Sequence, residues 1–131
     1  MGKAIFYQCS ITPGIDCVGI SDLIPKKTIE TVKQFGFEYK EISNPKDLDL
    51  CISSGKTAIC TDGTLLSNYE NIDVFIDAST EIKEAVNINS LALNNNTHLI
   101  MMNAEADLIF GPYLNSIAQG NDLVYTSCDG D

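Results

Sequence analysis

The pattern that most constrains this chain is the alternation of apolar, strand-like runs with helical segments between residues 71 and 131. The runs at 72–76 and 99–102 have the near-continuous apolar content of strands that are covered on both faces. Between them, residues 81–93 place apolar side chains at helical spacing. Strands that alternate with helices in this way predict a parallel sheet built from βαβ units.

The earlier part of the chain continues the same pattern with shorter segments. Pro25 and Pro45 suit the first turns of helices, and Gly36 suits the position just after one. The predicted fold class is therefore α/β, a Rossmann-like, doubly wound and mainly parallel sheet. The predicted elements are helices at 3–11, 25–35 and 44–53, strands at 15–20, 37–42 and 56–60, and a helical turn within 62–69.

The last helical stretch contains Gly111-Pro112. Because the residue before a proline avoids the α region, we predict two separate pieces. These are a helical turn at 104–108 and a fuller helix at 112–119, followed by a last strand at 123–127.

A dinucleotide-binding fold normally opens with a strand, a Gly-x-Gly-x-x-Gly turn and a helix. This chain has only Met1-Gly2 before its first predicted helix. We therefore expect residues 1–131 to be one cofactor-binding domain that is incomplete at its N-terminus. Gly2 is then the last glycine of the turn, at the pyrophosphate end of the helix. An ordinary start dipeptide is the alternative interpretation of Gly2.

Composition argues against several classes of protein. The chain has a net charge of −10, eight lysines and no arginine, whereas nucleic-acid binding relies on Lys and Arg contacts to phosphate. No apolar run approaches the ~20 residues of a membrane helix, and the N-terminus does not resemble a signal peptide. The five cysteines form no Cys-x-x-Cys pair and accompany one histidine, so no metal site is predicted. Buried, reduced thiols in a cytoplasmic protein are expected.

Asp22 is the first candidate cofactor-binding side chain. It ends a predicted strand about 20 residues beyond the glycine region, where an acid hydrogen-bonds the adenosine ribose of a dinucleotide. An acid here repels a 2′-phosphate and favours NAD over NADP, although Lys26 and Lys27 are near enough to contact a phosphate. A solvated acid in a β–α loop is the alternative.

Small and polar residues close the strand at 72–76, namely Asp77, Ala78, Ser79 and Thr80. Ligands of open parallel sheets bind outside the carboxyl ends of the strands, and small residues there let the backbone approach a flat ring. These four residues are therefore predicted to bind the cofactor. The alternative is that Ser79 or Thr80 only caps the following helix.

Asn103 and Glu105 follow the next strand and are the predicted catalytic residues. Glu105 would face the cleft as a hydrogen-bonding or acid–base group, whereas Asn103 is also a good helix cap. His98 precedes that strand, away from the predicted cleft, and is interpreted as structural. The acids of 129–131 follow the last predicted strand and can bind substrate or metal there, or belong to a frayed end.

Several stretches together resemble the homoserine dehydrogenase-like NAD(P)-binding oxidoreductases that carry a C-terminal SAF domain. The resemblance covers essentially the whole chain, and its most specific parts are Met101-Met102-Asn103-Ala104-Glu105-Ala106-Asp107 and Tyr125-Thr126 with Asp129-Gly130-Asp131. It implies hydride transfer with NAD or NADP and a small-molecule substrate, with the substrate and SAF domains outside these residues. The resemblance does not decide whether the protein forms a homo-oligomer.

The resemblance leaves three functions to separate. The first is homoserine dehydrogenase-like hydride transfer, although true homoserine dehydrogenases have a lysine in the stretch where this chain has 103–105. The second is a reaction like that of 1-deoxy-xylulose-5-phosphate reductoisomerase. The third is a nucleotide-binding regulatory domain without turnover. As a cofactor-binding portion alone, the chain is expected to be inactive.

Overall fold

The structure of the protein is a computed structural model that describes residues 1–128. The predicted acids of 129–131 lie outside the described residues. The chain divides into two compact units, Met1–Leu66 and Ser67–Asp131. Each unit contains one three-stranded sheet, and all four strand pairings in the described part of the chain are parallel. The α/β class and the parallel pairing are confirmed.

The first unit places three helices around a sheet with strand order β1-β3-β2. Strand β3 lies in the middle and is buried along its whole length. Phe6, Val32 and Ile59 form the apolar core of this unit. The elements are α1 (Gly2–Ile11), β1 (Gly19–Ser21), α2 (Pro25–Gln34), β2 (Tyr39–Glu41), α3 (Pro45–Ser53) and β3 (Thr57–Cys60), followed along the chain by the short helix α4 (Thr64–Ser67).

Local sequence sets the ends of the helices in this unit. Pro25 and Pro45 begin α2 and α3, as predicted. The Asn44 side chain caps α3 by accepting a hydrogen bond from the Asp47 backbone N–H at 2.9 Å. Gly36 follows α2 with a φ of +78°, a conformation that favours glycine because it has no Cβ.

The second unit has strand order β4-β5-β6 and packs two helices against its sheet. Its core contains Leu93, Leu99, Met101 and Leu114. Asp77 lies in register with Met101, so both strands end at the same edge of the sheet. The elements are β4 (Val74–Asp77), α5 (Lys83–Asn94), β5 (His98–Met101), α6 (Ala104–Gly120) and β6 (Tyr125–Ser127).

Two features of the second unit differ from the sequence prediction. Strand β4 is at the edge of its sheet and Val74 is exposed, so the expectation that both faces are covered is wrong for this residue. The predicted break at Gly111-Pro112 is also wrong, since α6 runs through Pro112. Proline removes one helical hydrogen bond, but buried Ala106, Leu114 and Ala118 anchor both sides of it to the core.

Within residues 1–128, no helix has the length and apolar character needed to cross a bilayer. The cysteines are all free, but they differ in exposure. Cys51 and Cys60 are buried as expected, Cys9 and Cys17 are half-buried, and Cys128 is exposed. The expectation of uniformly buried thiols is therefore wrong for Cys128.

We expect the thiols to react in an order set by burial. Burial raises the pKa of Cys17 to about 11 and also raises the pKa values of Cys51 and Cys60. Because the thiolate is the reactive form, the raised pKa values make these three thiols less reactive in the folded protein than in the unfolded chain. Iodoacetamide labelling followed by peptide mass spectrometry should find Cys128 modified first, and half-buried Cys17 and buried Cys51 and Cys60 much more slowly than in urea. Equal rates at all sites would contradict the structure.

Gly111 offers a second test, because a Cβ at this position would lie 2.6 Å from the Asp107 Oδ1 atom. That oxygen accepts a hydrogen bond from the Tyr125 hydroxyl, so it cannot move without disturbing this pair. Gly111→Ala should lower the free energy of unfolding by about 1–3 kcal/mol.

Gly120→Ala is the matched control in the same helix, because a Cβ there meets no described atom within 4 Å. Because Gly120 is the exposed last residue of α6, this change should alter the free energy of unfolding by no more than about 0.5 kcal/mol. Urea unfolding measures the free energy of unfolding of both variants. If Gly111→Ala stabilised the protein, the Asp107–Tyr125 pair would not limit the space at Gly111.

Candidate functional site

Asp77 is the centre of the candidate site in the second unit. It is the last residue of β4 and only 6% exposed. Its Oδ1 atom accepts hydrogen bonds from the backbone N–H of Ser79 at 2.9 Å and from the Ser79 hydroxyl at 2.7 Å. The two bonds tie the turn after β4 to the end of the strand. The backbone N–H and the hydroxyl of Ser79 are therefore both anchored to the end of β4.

Asn89 on α5 completes the hydrogen bonding of Asp77. Its Nδ2 atom donates to the Asp77 Oδ2 atom at 2.7 Å and lies 3.3 Å from the Met101 sulfur. This amide orientation follows from the network, because the opposite one would set an oxygen against the carboxyl oxygen. In the described part of the chain, the Asn89 Oδ1 atom is buried and has no hydrogen-bond partner.

Sequence reasoning missed Asn89. The predicted inner side of its helix was purely apolar, whereas the buried residues of α5 are Ala85, Asn89, Ala92 and Leu93. An available signal was the four-residue step from Ala85 to Asn89, which puts an amide in the apolar stripe. A polar side chain in such a stripe needs a buried partner, and Asp77 is that partner.

Asn103 joins the two strand ends. Its Oδ1 atom accepts from the backbone N–H of Ala106 at 3.1 Å and so caps α6. Its Nδ2 atom donates to the Glu81 carbonyl at 3.1 Å and to the Ser79 hydroxyl oxygen at 3.3 Å. The predicted capping role of Asn103 is confirmed, and the side chain also fastens the turn after β4 to the turn after β5.

The structure thus brings together three of the predicted residues, Asp77, Ser79 and Asn103. Ser79 and Thr80 are exposed, and neither caps α5, whose N-terminal cap is Ile82. The hydroxyl of Ser79 donates to Asp77, so a ligand on this turn would meet mainly backbone and the remaining acceptor capacity of Ser79.

Glu105 occupies the first turn of α6 and is exposed. Its catalytic role and that of Asn103 stay predictions. His98 has the structural role predicted for it, because its Nδ1 atom accepts from the Val124 backbone N–H at 3.0 Å.

Asp22 is the candidate site of the first unit. It is exposed, directly follows β1, and its backbone N–H donates to the Cys60 carbonyl at 3.0 Å. Its two carboxyl oxygens accept from the Ile24 backbone N–H at 2.8 Å and from the Thr28 hydroxyl at 3.0 Å. Each oxygen retains a second lone pair, so the carboxyl group is fixed in orientation and still able to accept.

A cavity of about 250 Å³ lies at the same carboxyl edge of the first sheet. Apart from Glu41 and Thr61, its lining is apolar or weakly polar, which suits a flat, largely apolar ring. Cys60, whose carbonyl accepts from Asp22, is part of that lining. The lining residues are Pro25, Glu41, Ile42, Ile59, Cys60 and Thr61.

The other predicted cofactor residues of this unit are less defined. Gly2 is the first residue of α1, and a Cβ there would meet no described atom within 4 Å, so packing in residues 1–128 does not require glycine. Lys26 and Lys27 are exposed in the first turn of α2. In the same described range, no group of three or more His, Cys, Asp or Glu side chains could hold a metal ion.

Tyr125 and Asp107 form a further polar pair in the second unit. The Tyr125 hydroxyl donates to Asp107, and burial together with this bond raises the pKa of Tyr125 well above its usual value. The phenol therefore stays protonated and acts as a donor. It borders an open depression of about 520 Å³ formed by Gly111, Pro112, Asn115, Tyr125, Thr126 and Ser127.

Comparison with known proteins supports the fold. No protein-family model and no curated protein sequence matches the chain. Among solved structures, a protein assigned as an oxidoreductase from Klebsiella pneumoniae is similar over 96% of this chain, with a TM-score of 0.66 and 11% identity. The homoserine dehydrogenase of S. aureus at pH 7.0 is similar over 83% of the chain, with a TM-score of 0.52 and 16% identity.

A homoserine dehydrogenase from Thiobacillus denitrificans is also similar over 83% of the chain, with a TM-score of 0.53 and 14% identity. The chain spans 28–30% of the length of these three structures. At such low identity, the similarity establishes a shared Rossmann-like fold.

Removing the Asn89 amide tests the network around Asp77. Asn89→Ala leaves one oxygen of a buried carboxyl group without its donor, so the free energy of unfolding should fall by about 2–3 kcal/mol. Asn87→Ala is the control, because Asn87 lies on the same helix and is exposed. It should change stability by no more than about 0.5 kcal/mol. Equal effects of the two changes in urea unfolding would contradict the network.

Proposed function

We propose that this chain forms the cofactor-binding portion of an NAD(P)-dependent oxidoreductase with homoserine dehydrogenase-like hydride transfer. The observation that carries the proposal is Asp22, whose carboxyl group is fixed at the carboxyl end of a parallel strand by two hydrogen bonds. Ligands of open parallel α/β sheets bind at this edge, and an acid at this position accepts from a ribose diol.

The two carboxyl oxygens of Asp22 suit a ribose because both of its hydroxyl groups donate. Ile24 and Thr28 hold the carboxyl group in place, so little conformational freedom is lost on binding. The cavity of about 250 Å³ at the same edge has the apolar surface that an adenine ring would bury. Ribose and base would therefore be recognised by neighbouring features of one unit.

The turn after β4 supports the second part of the proposal. Asp77 fixes the backbone of Ser79, and Asn103 fixes the Ser79 hydroxyl and the Glu81 carbonyl. A turn held this rigidly can orient a flat ring by backbone contact. The cofactor would supply the hydride chemistry, and these residues would supply binding, orientation and exclusion of water. Glu105 is the proposed acid–base or hydrogen-bonding group toward a small-molecule substrate.

Asp22 also determines the proposed preference between the two nicotinamide cofactors. A carboxylate near the 2′ position repels the phosphate of NADP and favours NAD. Lys26 and Lys27 are exposed in the next helical turn, so NADP is not excluded by charge in this region as a whole. The preference should therefore be moderate, and removing the charge of Asp22 should shift it.

Asp22→Ala should weaken NAD binding at least tenfold, because charge-assisted hydrogen bonds are worth about 1.5–3 kcal/mol. Asp16→Ala removes the same charge from an exposed acid before β1 and should leave affinity within about twofold. Isothermal titration calorimetry of the 131-residue chain with NAD and NADP measures both variants.

Asp22→Asn extends the same experiment to cofactor choice. It removes the charge while keeping an oxygen acceptor, so affinity for NADP should rise relative to NAD. Circular dichroism should show that all three variants remain folded. Unchanged NAD affinity in Asp22→Ala would refute the ribose assignment, and no binding of either cofactor by the unmodified chain would refute the proposed function for these residues.

A further inference from the structure

The outer side of α6 carries an apolar surface that the core does not use. Leu108 is 84% exposed, Ile109 is 57% exposed and Tyr113 is 54% exposed, and Pro112 is exposed between them. These four positions have the spacing i, i+1, i+4 and i+5, which places them on one side of a helix. We call Leu108, Ile109, Pro112 and Tyr113 the outer stripe of α6.

The opposite side of α6 already anchors the helix to its unit. Ala106, Leu114 and Ala118 are buried in the core, with Phe110 and Ile117 packed against it. A surface helix with one buried side normally exposes polar residues on the other. An exposed apolar group of this kind therefore indicates a protein-binding surface rather than a requirement of folding.

Charge indicates the chemistry of the partner. Helix α6 contains Glu105 and Asp107 but no Lys or Arg, and Glu105 lies one turn before Leu108 and Ile109 on the outer side. From residue 67 onward the chain has ten acids and one lysine, Lys83, whereas the other seven lysines precede residue 67. An apolar stripe on so acidic a unit is complementary to an apolar surface bordered by basic side chains.

Pro112 removes one helical hydrogen-bond donor on the same side of α6. Proline has no N–H, so it cannot donate to the carbonyl of Leu108 four residues earlier, as another residue would. The charged groups of Lys and Arg are hydrogen-bond donors only, so they can donate both to the Leu108 carbonyl and to the Glu105 carboxylate. A second copy of the chain is a poorer match, because it would bring together two strongly acidic units.

We propose that the outer stripe of α6 is a docking surface for a protein partner whose contact area combines apolar residues with Lys or Arg. The stripe would supply the buried centre of the interface, and Glu105 and the Leu108 carbonyl would supply acceptors at its border. None of the four stripe residues is a proposed cofactor residue, and Glu105 alone belongs to both proposals. A binding assay without NAD therefore tests the stripe independently of the proposed function.

A fluorescein-labelled, 14-residue amphipathic peptide with leucine on one side and lysine on the other is a suitable probe, measured by fluorescence anisotropy at 0.15 M salt. The 131-residue chain should bind it, and the double change Leu108→Ser and Ile109→Ser should raise Kd about tenfold or more. Leu50→Ser is the matched control, because Leu50 is 64% exposed on α3. It should change Kd less than about twofold.

Glu105→Gln tests the acidic border of the stripe and should raise Kd about two- to fivefold, less so at 0.5 M salt. Circular dichroism should show all variants folded, since each changed residue is exposed. Equal Kd for the unmodified chain and the double variant would overturn the proposal, because charge alone would then explain binding. No binding by the unmodified chain would overturn it too.

Two other kinds of binding partner for the outer stripe would give different experimental results. Sedimentation that finds a dimer of the unmodified chain and a monomer of the double variant would assign the stripe to a second copy. Binding to phosphatidylcholine vesicles that the double variant loses would assign it to a lipid surface. Either result would overturn the proposed basic protein partner.

Discussion

The second unit depends on how one buried carboxyl group, that of Asp77, is satisfied. A carboxyl group removed from water must find hydrogen-bond donors in the protein, and Asp77 finds three: two from Ser79 and one from Asn89. These bonds connect the end of β4 to its own turn and to α5. Asn103 extends the connection to the turn after β5. The hydrogen bonds that connect the turns of the candidate site thus begin with those that satisfy Asp77.

The two candidate regions lie at the carboxyl ends of strands in two different parallel sheets, and their acids act in different ways. Asp77 is buried and organises the backbone around it, whereas Asp22 is exposed and is itself oriented by Ile24 and Thr28. A buried acid with its acceptors engaged acts through the turn that it holds. An exposed acid with lone pairs remaining can contact a ligand directly. The same residue type after a strand therefore supports two distinct roles.

Helix α6 combines stability and recognition in one element. Its inner side is anchored by Leu114 and Ala118, and this anchoring lets the helix continue through Pro112. Its outer side exposes Leu108 and Tyr113 on a unit with a large excess of acids. The proline that sequence rules interpret as a break thus lies inside the helix, where it leaves the Leu108 carbonyl without its usual i+4 donor.

The sequence by itself determined the α/β class, the parallel pairing and the polar ends of β4 and β5. Strand and helix periodicities and helix caps such as Asn44 and Asn103 are local, so they can be inferred without the fold. Tertiary structure decided that Asn89 bonds to Asp77, that Val74 lies at a sheet edge and that α6 continues through Pro112. These outcomes depend on contacts between residues distant in sequence, whose packing and hydrogen bonds outweigh local preference.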